Sequence, residues 1–146
     1  MIYTEQAKNA MCIAYEAHKD AMDKTGVPYI YHPVHLAEQM DNETACCAAL
    51  LHDVVEDTNL TFDDLKARGV SDRVIDVVRL LTHDVNEEYM DYIRRIKESG
   101  NMDAMKIKLA DLRHNSDITR LRSPGQEVLK RVEKYMAAYE MLMSES

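Results

Sequence analysis

Three groups of polar residues interrupt apolar stretches of this sequence, and their side chains are of the kinds that bind metal ions. His52 and Asp53 end the apolar run TACCAALLHD. Asp111 lies in the segment KLADLRHN, and His32 directly precedes a proline. A carboxylate in an apolar helix is costly to bury unless it is paired or bound to a metal. Imidazole nitrogens with carboxylate oxygens suit manganese, iron or zinc better than calcium or magnesium.

Each of these residues taken alone also has an ordinary structural interpretation. A histidine before a proline is usually a loop residue, a His-Asp dipeptide occurs by chance in many proteins, and an aspartate on a helix is usually solvated. The presence of all three in one chain, each at a place where an apolar pattern is broken, favours a shared site. We therefore predict that they converge around one divalent ion.

The order of these residues resembles the H…HD…D pattern of the HD superfamily of phosphohydrolases. Three longer blocks narrow the resemblance, because they are similar to the motif blocks of the RelA/SpoT-type hydrolase domain and its small stand-alone relatives, the small alarmone hydrolases. Those relatives hydrolyse the guanosine polyphosphates (p)ppGpp at the 3′-diphosphate in a manganese-dependent way. The three blocks are AYEAHKDAMDKTGVPYIYHPVHLA, LLHDVVEDT and KLADLRHN, and they extend over much of the chain.

The resemblance implies a function, the metal-dependent removal of pyrophosphate from (p)ppGpp, and a role for each site residue. Glu56 and Asp57 match the acidic pair that acts on the attacking water. Lys24 and Asn115 match residues that contact the nucleotide, and Arg120 is a further candidate because it lies close to the KLADLRHN block. The implied ion is Mn²⁺, and its implied ligands are His32, His52, Asp53 and Asp111.

The chemistry of such an ion agrees with these roles. A divalent ion lowers the pKa of its water and polarises a phosphoryl oxygen, so the protein need only place a carboxylate to accept the proton. Glu56 follows Asp53 by three residues and His52 by four, which puts it on their side of a continuing helix or first turn. We expect Glu56 to act on the water and not on the ion, since a fifth protein ligand would crowd the position needed by water.

Two departures from the family pattern leave the substrate open. Asp23 stands where the relatives usually have an arginine, and Arg113 is displaced by one position in ADLRHN, about 100° around a helix. The chain is also shorter than most stand-alone relatives. One alternative is an HD phosphohydrolase that acts on another nucleotide or a phosphomonoester. Another is a metal-binding or nucleotide-binding regulatory module without turnover, although a mere binder gains nothing from the Glu56–Asp57 pair, which repels phosphate.

Several other polar and aromatic residues have structural interpretations. We expect His18, on the apolar stripe of the first helix, to be a hydrogen-bonded structural residue near the site. Tyr89 and Tyr92 could stack on a base, although aromatic residues at helical spacing are more often in the core. The densest basic stretch either forms a solvated helix face or captures phosphate, and its residues are Lys106, Lys108, Arg113, Arg120 and Arg122. Three more histidines are expected at the surface or behind the site, namely His35, His83 and His114.

Helical elements must position these groups. An amphipathic stripe predicts a first helix from a cap at Thr4 to about Lys24, and Pro33 in a first turn predicts a second helix with His32 at its N-terminus. The run after Asn42 is apolar nearly all round, so the third helix should be central and buried. Further helix starts are predicted at Thr61, Ser71, Asn86, Asn101 and a Ser123–Gln126 capping box, with Gly69 and Gly100 as stops.

The composition supports an all-α fold, a compact single-domain bundle of about seven or eight helices over residues 1–146, and the resemblance implies that this bundle is of the HD type. The four glycines and three prolines of the 146 residues give few of the signals that strands require. A net charge of -8 argues against general nucleic-acid binding, and the resemblance implies a small nucleotide as the partner. The three cysteines do not suggest disulfides, and no apolar run reaches membrane-spanning length, so we expect a cytoplasmic protein. The oligomeric state stays open, with a homodimer among the alternatives.

Overall fold

The computed structural model describes residues 1–120 and 125–145, and the regular structure in these ranges is helical. Within these ranges, eight α-helices have six residues or more, and α4 is a single four-residue turn. The predicted all-α architecture is confirmed. The elements are α1 (Glu5–His18), α2 (Tyr31–Glu38), α3 (Glu43–Leu51), α4 (Val54–Asp57), α5 (Phe62–Ala67), α6 (Asp72–Leu81), α7 (Tyr89–Ser99), α8 (Met102–Asn115), a 3₁₀ turn (Ile118–Arg120) and α9 (Gln126–Met143).

Five of the predicted helix starts are confirmed by side-chain caps. In each case the side-chain oxygen of the capping residue accepts a hydrogen bond from the backbone N–H three residues later. Such a cap typically stabilises a helix by about 1 kcal/mol. The capping residues are Thr4, Asn42, Thr61, Ser71 and Asn101.

The first helix is shorter than the sequence predicts, since α1 ends at His18 and not near Lys24. Beyond it the chain folds back, and Met22 pairs with Pro28 in an isolated antiparallel bridge. Met22 is 60% exposed, so it does not belong to the buried stripe of α1. Gly26, with a φ of 89°, permits this reversal because a residue with a Cβ rarely adopts that conformation.

The predicted helix start at Asn86 is wrong. The Asp84 carboxylate accepts a hydrogen bond from the backbone N–H of Asn86 at 2.9 Å, which stabilises a turn, and α7 begins at Tyr89. Local side-chain bonds of this kind compete with helix formation. Residues 123–124 of the predicted capping box lie outside the described residues, and α9 begins at Gln126 after Gly125.

Helix α3 is the centre of the molecule, as its apolar sequence predicts. It packs against α1, α2, α6 and α8, and every residue from 45 to 51 is buried. Full burial of a side chain such as Leu50 or Leu51 contributes about 1.5–3 kcal/mol, so this helix is held firmly. The residues that follow it are therefore fixed relative to α2 and α8. No helix within the described ranges is both long and apolar enough to cross a membrane.

Candidate metal centre and substrate cleft

The four predicted metal ligands come from three separate parts of the chain and lie together. His32 is in the first turn of α2, Asp111 is in α8, and His52 and Asp53 join α3 to α4. Nε2 of His32 lies 2.8 Å from Oδ1 of Asp111, and Nε2 of His52 lies 3.6 Å from the same oxygen. Nε2 of His52 is also 2.9 Å from Oδ2 of Asp53. His32, His52 and Asp53 each offer a donor atom within 4.8 Å of the others, so this group could hold a metal ion.

A break in the helix orients the His-Asp pair. Helix α3 ends at Leu51, and Asp53 has φ -105° and ψ 0°, in the sparsely populated region where many active-site residues are found. The chain therefore starts a new turn at Val54 instead of continuing α3. The sequence allowed Glu56 to lie either on a continuation of α3 or on the first turn after it. The structure has the second arrangement.

The environment of His52 calls for a cation. Its Nδ1 lies 2.7 Å from the backbone carbonyl of Ala49, so Nδ1 donates a hydrogen bond to that carbonyl and Nε2 is the nitrogen that faces the site. That Nε2 has no hydrogen-bond partner of good geometry among the described residues, although it faces the carboxylates of Asp53 and Asp111. Burial lowers the pKa of His52, but these carboxylates outweigh burial and raise the pKa well above its usual value, so Nε2 also holds a proton when no metal ion is bound. A metal ion at this position would replace that proton and balance the same carboxylates.

His32 is oriented in a similar way from behind. Its Nδ1 lies 2.6 Å from Nδ1 of His114, and the two rings are stacked. Burial, with the neighbouring His32, lowers the pKa of His114 to about 4, so His114 is neutral and its Nδ1 can accept a hydrogen bond from Nδ1–H of His32. Nε2 of His32 then presents its lone pair toward Asp111. His114 was expected at the surface or behind the site, and the structure places it behind the site.

Lys108 is a charged residue of the site that sequence reasoning missed. The structure corrects its expected place on a solvated face or at a phosphate, because Lys108 is buried and its Nζ lies 2.8 Å from Oδ2 of Asp111. Although burial alone would raise the pKa of Asp111, Lys108 and the two histidines hold that pKa well below its usual value. The i, i+3 spacing of Lys108 and Asp111 on one helix was the signal that could have revealed the pair.

Tyr29 and His18 form a layer beside Asp53. The hydroxyl of Tyr29 donates a hydrogen bond to Oδ2 of Asp53, and its ring centroid lies 4.8 Å from that of His18. Burial, with the charge of Asp53, raises the pKa of Tyr29. His18 lies near the site as expected, but the expected hydrogen bond is not found, because its Nε2 has no partner within the described part of the chain.

The predicted catalytic pair lies on α4 next to these groups. Oε1 of Glu56 accepts a hydrogen bond of 2.6 Å from the backbone N–H of His83, which fixes the direction of this carboxylate. Partial desolvation raises the pKa of Glu56. The same effect, with the negative charges of Asp53 and Glu56, raises the pKa of Asp57 to about 6. Both carboxyl groups therefore hold a proton more readily than a free side chain does.

The pair adjoins a cleft that consists of two neighbouring cavities with some wall residues in common. The smaller, of about 170 Å³, is lined by Asp53, Asp111 and Glu56, and the larger, of about 440 Å³, contains Lys24. Both cavities are lined by Asp57, Asn115 and Tyr135.

The walls of the larger cavity hold all three predicted substrate-binding residues. Lys24, Asn115 and Arg120 line it, together with Arg131 of α9. Sequence reasoning missed Arg131, and the signal that could have found it is the helical spacing of the α9 residues on this wall. Those residues are Val128, Arg131, Val132 and Tyr135.

Asp23, the main departure from the family pattern, is bound within the protein. Its Oδ2 lies 3.2 Å from Nη2 of Arg120, and its Oδ1 accepts hydrogen bonds from Thr25 and Val27. Arg120 also donates to the carbonyl of His114 at 2.6 Å. Desolvation opposes ionisation of Asp23, yet the hydrogen bonds of Thr25 and Val27 lower its pKa. Asp23 thus stabilises its loop and holds Arg120 at the edge of the cleft.

Comparison with known proteins identifies the class to which this fold and site belong. Residues 10–115 match a family model described as the HD domain, which is more than half of the chain. The chain therefore belongs to the HD-domain family, as its motifs predict.

The relatives narrow the comparison. The chain is 35% identical to the MESH1 guanosine-3′,5′-bis(diphosphate) 3′-pyrophosphohydrolase of Xenopus tropicalis over 84% of its own length and 74% of that protein. It is 34% identical to the bifunctional (p)ppGpp synthase/hydrolase SpoT of Escherichia coli strain K12 over 76% of its own length and 18% of SpoT. It is 40% identical to a 3′-pyrophosphohydrolase of Aquifex aeolicus over 55% of its own length and 12% of that protein.

The chain thus spans less than a fifth of the length of the two longer relatives. A solved structure also matches, with a TM-score of 0.77, 24% identity, and coverage of 97% of this chain and 87% of the other. Its title describes a metazoan orthologue of SpoT that hydrolyses ppGpp. At this level of identity, the match shows a shared fold.

Proposed function

We propose that this protein is a metal-dependent phosphohydrolase that removes pyrophosphate from the 3′ position of (p)ppGpp. The observation that carries the proposal is the convergence of His32, His52, Asp53 and Asp111 next to the acidic pair, with Asp53 and Asp111 lining the smaller cavity. Similarity to relatives named as guanosine-3′,5′-bis(diphosphate) 3′-pyrophosphohydrolases supports the substrate. Transfer of that substrate to this chain is part of the proposal.

The donor set fits a borderline divalent ion, and Mn²⁺ is the ion that we propose. Two imidazole nitrogens and two carboxylates form it, and the orphaned Nε2 of His52 indicates where a cation is needed. When bound, such an ion polarises a phosphoryl oxygen and lowers the pKa of water. The hydrogen bonds from His52 to Ala49 and from His32 to His114 hold both imidazoles in the tautomer that a ligand requires.

The residues around this group would divide the remaining tasks. Glu56, aligned by the N–H of His83, would accept the proton of the attacking water. Asp57, with its pKa raised to about 6, lies on the wall common to both cavities and could give a proton to the departing 3′ oxygen. Lys24 and Arg120 would attract the phosphates of the nucleotide in the larger cavity. Each of these groups is in place before substrate binds, which lowers the cost of reaching the transition state.

A second candidate function is the hydrolysis of another nucleotide or a phosphomonoester at the same metal centre. The ion pair of Asp23 with Arg120 favours it, because Asp23 removes a positive charge from the cleft and partly neutralises another. A regulatory module without turnover is disfavoured by Glu56 and Asp57. Their raised pKa values show that ionising them here is costly, and a site that only binds phosphate gains nothing from that cost.

A substrate panel distinguishes these functions. Purified protein with Mn²⁺ should be assayed against ppGpp, deoxynucleotides, NADPH and an aryl phosphate, with the Asp53→Ala variant as the control for metal-dependent turnover. We expect Mn²⁺-dependent release of pyrophosphate from ppGpp and none from the variant. Turnover of another substrate in preference to ppGpp would establish the second candidate. Binding of ppGpp without any turnover in the panel would indicate the regulatory module.

A further inference from the structure

Lys108 of α8 places a positive charge among acidic side chains beside the candidate metal centre. It lines the smaller cavity, and among the described residues of that wall it is the only lysine or arginine. Four acidic residues line the same cavity, namely Asp53, Glu56, Asp57 and Asp111. Lys108 is only 9% exposed, and removing an ammonium group from water is costly. Its presence at this place therefore calls for an explanation.

The ammonium group of Lys108 is held at a defined position. Its Nζ donates a hydrogen bond of 2.8 Å to Oδ2 of Asp111, and it lies 5.0 Å from the ring centroid of Tyr92 and 5.8 Å from that of Tyr89. Tyr92 is buried in the core, as expected, and its hydroxyl donates to the carbonyl of Leu81 at 2.6 Å. A lysine that is paired with a carboxylate and lies near two aromatic rings keeps its charge at the cavity wall.

Orientation of Asp111 does not by itself explain Lys108, because the two oxygens of this carboxylate have different partners. Oδ1 lies 2.8 Å from Nε2 of His32 and accepts a hydrogen bond of 3.0 Å from Nδ2 of Asn115. Oδ2 is the oxygen that binds Lys108. The oxygen that faces the candidate metal ligands is therefore also held by Asn115, a neutral residue. What Lys108 adds to this arrangement is its charge.

A positive charge at this position opposes a metal ion. Lys108 and a divalent ion would both lie next to Asp111, and like charges repel strongly where water is largely excluded. A site that only held a cation would therefore bind it more tightly with a neutral residue at position 108. An anion has the opposite preference, because the four carboxylates of the cavity repel it and a divalent ion offsets only two of their charges.

We propose that the charge of Lys108 allows the acidic cavity to accept a phosphoryl group next to the metal ion. Lys108 is bonded to Asp111 and need not touch the phosphate, since its charge acts across the cavity. Lys108 is thus a specificity-determining residue, which lowers the affinity of the centre for cations and raises its affinity for anions. This inference rests on the proposed function for the phosphate group of the substrate.

Two substitutions separate the charge of Lys108 from its hydrogen bond. Lys108→Gln removes the charge and keeps an N–H group that can donate to Asp111, whereas Lys108→Met removes both. Affinity for Mn²⁺, and then for inorganic phosphate at saturating Mn²⁺, should be measured by calorimetry. We expect both variants to bind phosphate about ten-fold or more weakly than the unmodified protein, because an attractive charge is lost. Both should bind Mn²⁺ at least as tightly as the unmodified protein.

Lys106→Met is the matched control. It makes the same change of charge on the same helix, but Lys106 pairs with the exposed Asp41 at 3.2 Å and is not part of the described wall of either cavity. This variant should bind phosphate and Mn²⁺ as the unmodified protein does. A reduced phosphate affinity in the control as well would mean that net charge and not position 108 is responsible, and would overturn the proposal.

The remaining outcomes each decide a separate point. Phosphate binding by Lys108→Gln that equals that of the unmodified protein would overturn the proposal, because the hydrogen bond and not the charge would then matter. Weaker Mn²⁺ binding by both variants would overturn it as well, since Lys108 would then act by holding Asp111. So would a failure of phosphate to bind the unmodified protein, or a failure of both variants to fold. The expected affinities in a protein that does not hydrolyse ppGpp would keep the role of Lys108 and reject the proposed function.

Discussion

At the scale of single residues, hydrogen bonds outside the candidate metal centre decide which histidine nitrogens face it. The Ala49 carbonyl accepts a hydrogen bond from Nδ1–H of His52, and the neutral His114 accepts one from Nδ1–H of His32. Both Nε2 atoms therefore face the carboxylates, as ligand atoms would. Partners of this kind keep a ligand in place and typically change metal affinity about 10- to 100-fold when removed.

The role of Glu56 can be separated from that of the ligands. Glu56→Gln should keep the bound ion but lower kcat about a hundred- to ten-thousand-fold, because the amide cannot accept the proton of water. The hydrogen bond from His83 N–H can still be accepted by the amide oxygen, so the geometry should persist. Metal content and turnover should be measured on one preparation. Parallel loss of both would make Glu56 a ligand, and retention of both would transfer the role of base to Asp57.

The raised pKa of Asp57 predicts a pH-dependent effect on stability. Its pKa is about 6 against the usual 3.8, so the folded state binds the proton more tightly than the unfolded state, and stability falls as pH rises through that interval. Above this pH interval the folded protein bears the full free-energy cost of ionising Asp57, and the Asp57→Asn variant should remove that cost. A shift of two units would correspond to about 3 kcal/mol, but solvent reaches this carboxyl, and we expect about 1 kcal/mol.

Urea unfolding with a chelator present should test this prediction at pH 8 and near pH 4. The Asp57→Asn variant should be the more stable protein at the higher pH and equal to the unmodified protein at the lower. A stability difference that is the same at both pH values would show that it does not arise from ionisation of Asp57.

At the scale of elements, the segment between α6 and α7 determines where Glu56 points. Arg95 binds both carboxylate oxygens of Glu87, at 2.9 and 3.0 Å, and the carbonyls of Leu80 and Thr82 at 3.2 Å. The imidazole of His83 also lies 2.6 Å from the carbonyl of Glu87. These bonds fix the segment that carries the backbone N–H of His83. Arg95 of α7 therefore helps to hold the Glu56 carboxylate of α4 in place.

Arg95→Lys should therefore reduce kcat without loss of the ion. A lysine ammonium cannot reproduce the fork of the guanidinium, so the segment loosens and the Glu56 carboxylate is held less well. We expect about a ten-fold reduction of kcat, since small misplacements of catalytic groups are costly. Arg94→Lys is the control, because the exposed Asp91 of its own helix is the only partner of Arg94 in the described part of the chain. Equal kcat values for the two variants would contradict the link between this segment and Glu56.

At the scale of the whole molecule, one buried core joins the elements that carry the site. Ala7 and Ile13 of α1 and Ala138 and Leu142 of α9 belong to the same cluster of buried residues as the central helix α3. We propose on this basis that residues 1–146 act as one domain. The candidate metal centre lies where this core ends, and its surroundings gather four acidic residues and two histidines in a protein of net charge -8. Such a concentration of negative charge should make the fold sensitive to cations.

Binding of Mn²⁺ should stabilise the folded protein. At a free concentration about 100 times the dissociation constant the expected gain is about 2.7 kcal/mol, because the unfolded chain does not assemble the site. Asp53→Ala should abolish this gain and the turnover together. Thermal melting with and without Mn²⁺ measures the effect, and Asp63→Ala, which changes an exposed aspartate on α5, is the control that should respond as the unmodified protein does. An Asp53→Ala variant that is still stabilised by Mn²⁺ would place the ion elsewhere.

The sequence alone determined the features that depend on local chemistry. Helix caps such as Thr4 and Asn42 could be predicted because each is completed within three residues of its own position. The three motif blocks indicated the family, and the resemblance implied the four residues that the structure brings together. The end of α1 at His18 and the start of α7, which was predicted at Asn86, were missed. Hydrogen bonds within the adjoining loops compete with helix formation and decide both boundaries.

Tertiary structure decided which residues complete the site. Lys108 looks like an ordinary residue of a helical face, and only the packing of α7, α8 and α9 shows that it neutralises Asp111 and lines a cavity. The pairing of Asp23 with Arg120 joins residues 97 positions apart, and no local pattern predicts it. The physical reason is that burial and charge at a site depend on atoms from distant parts of the chain. Sequence spacing records only which neighbours a residue has on its own helix.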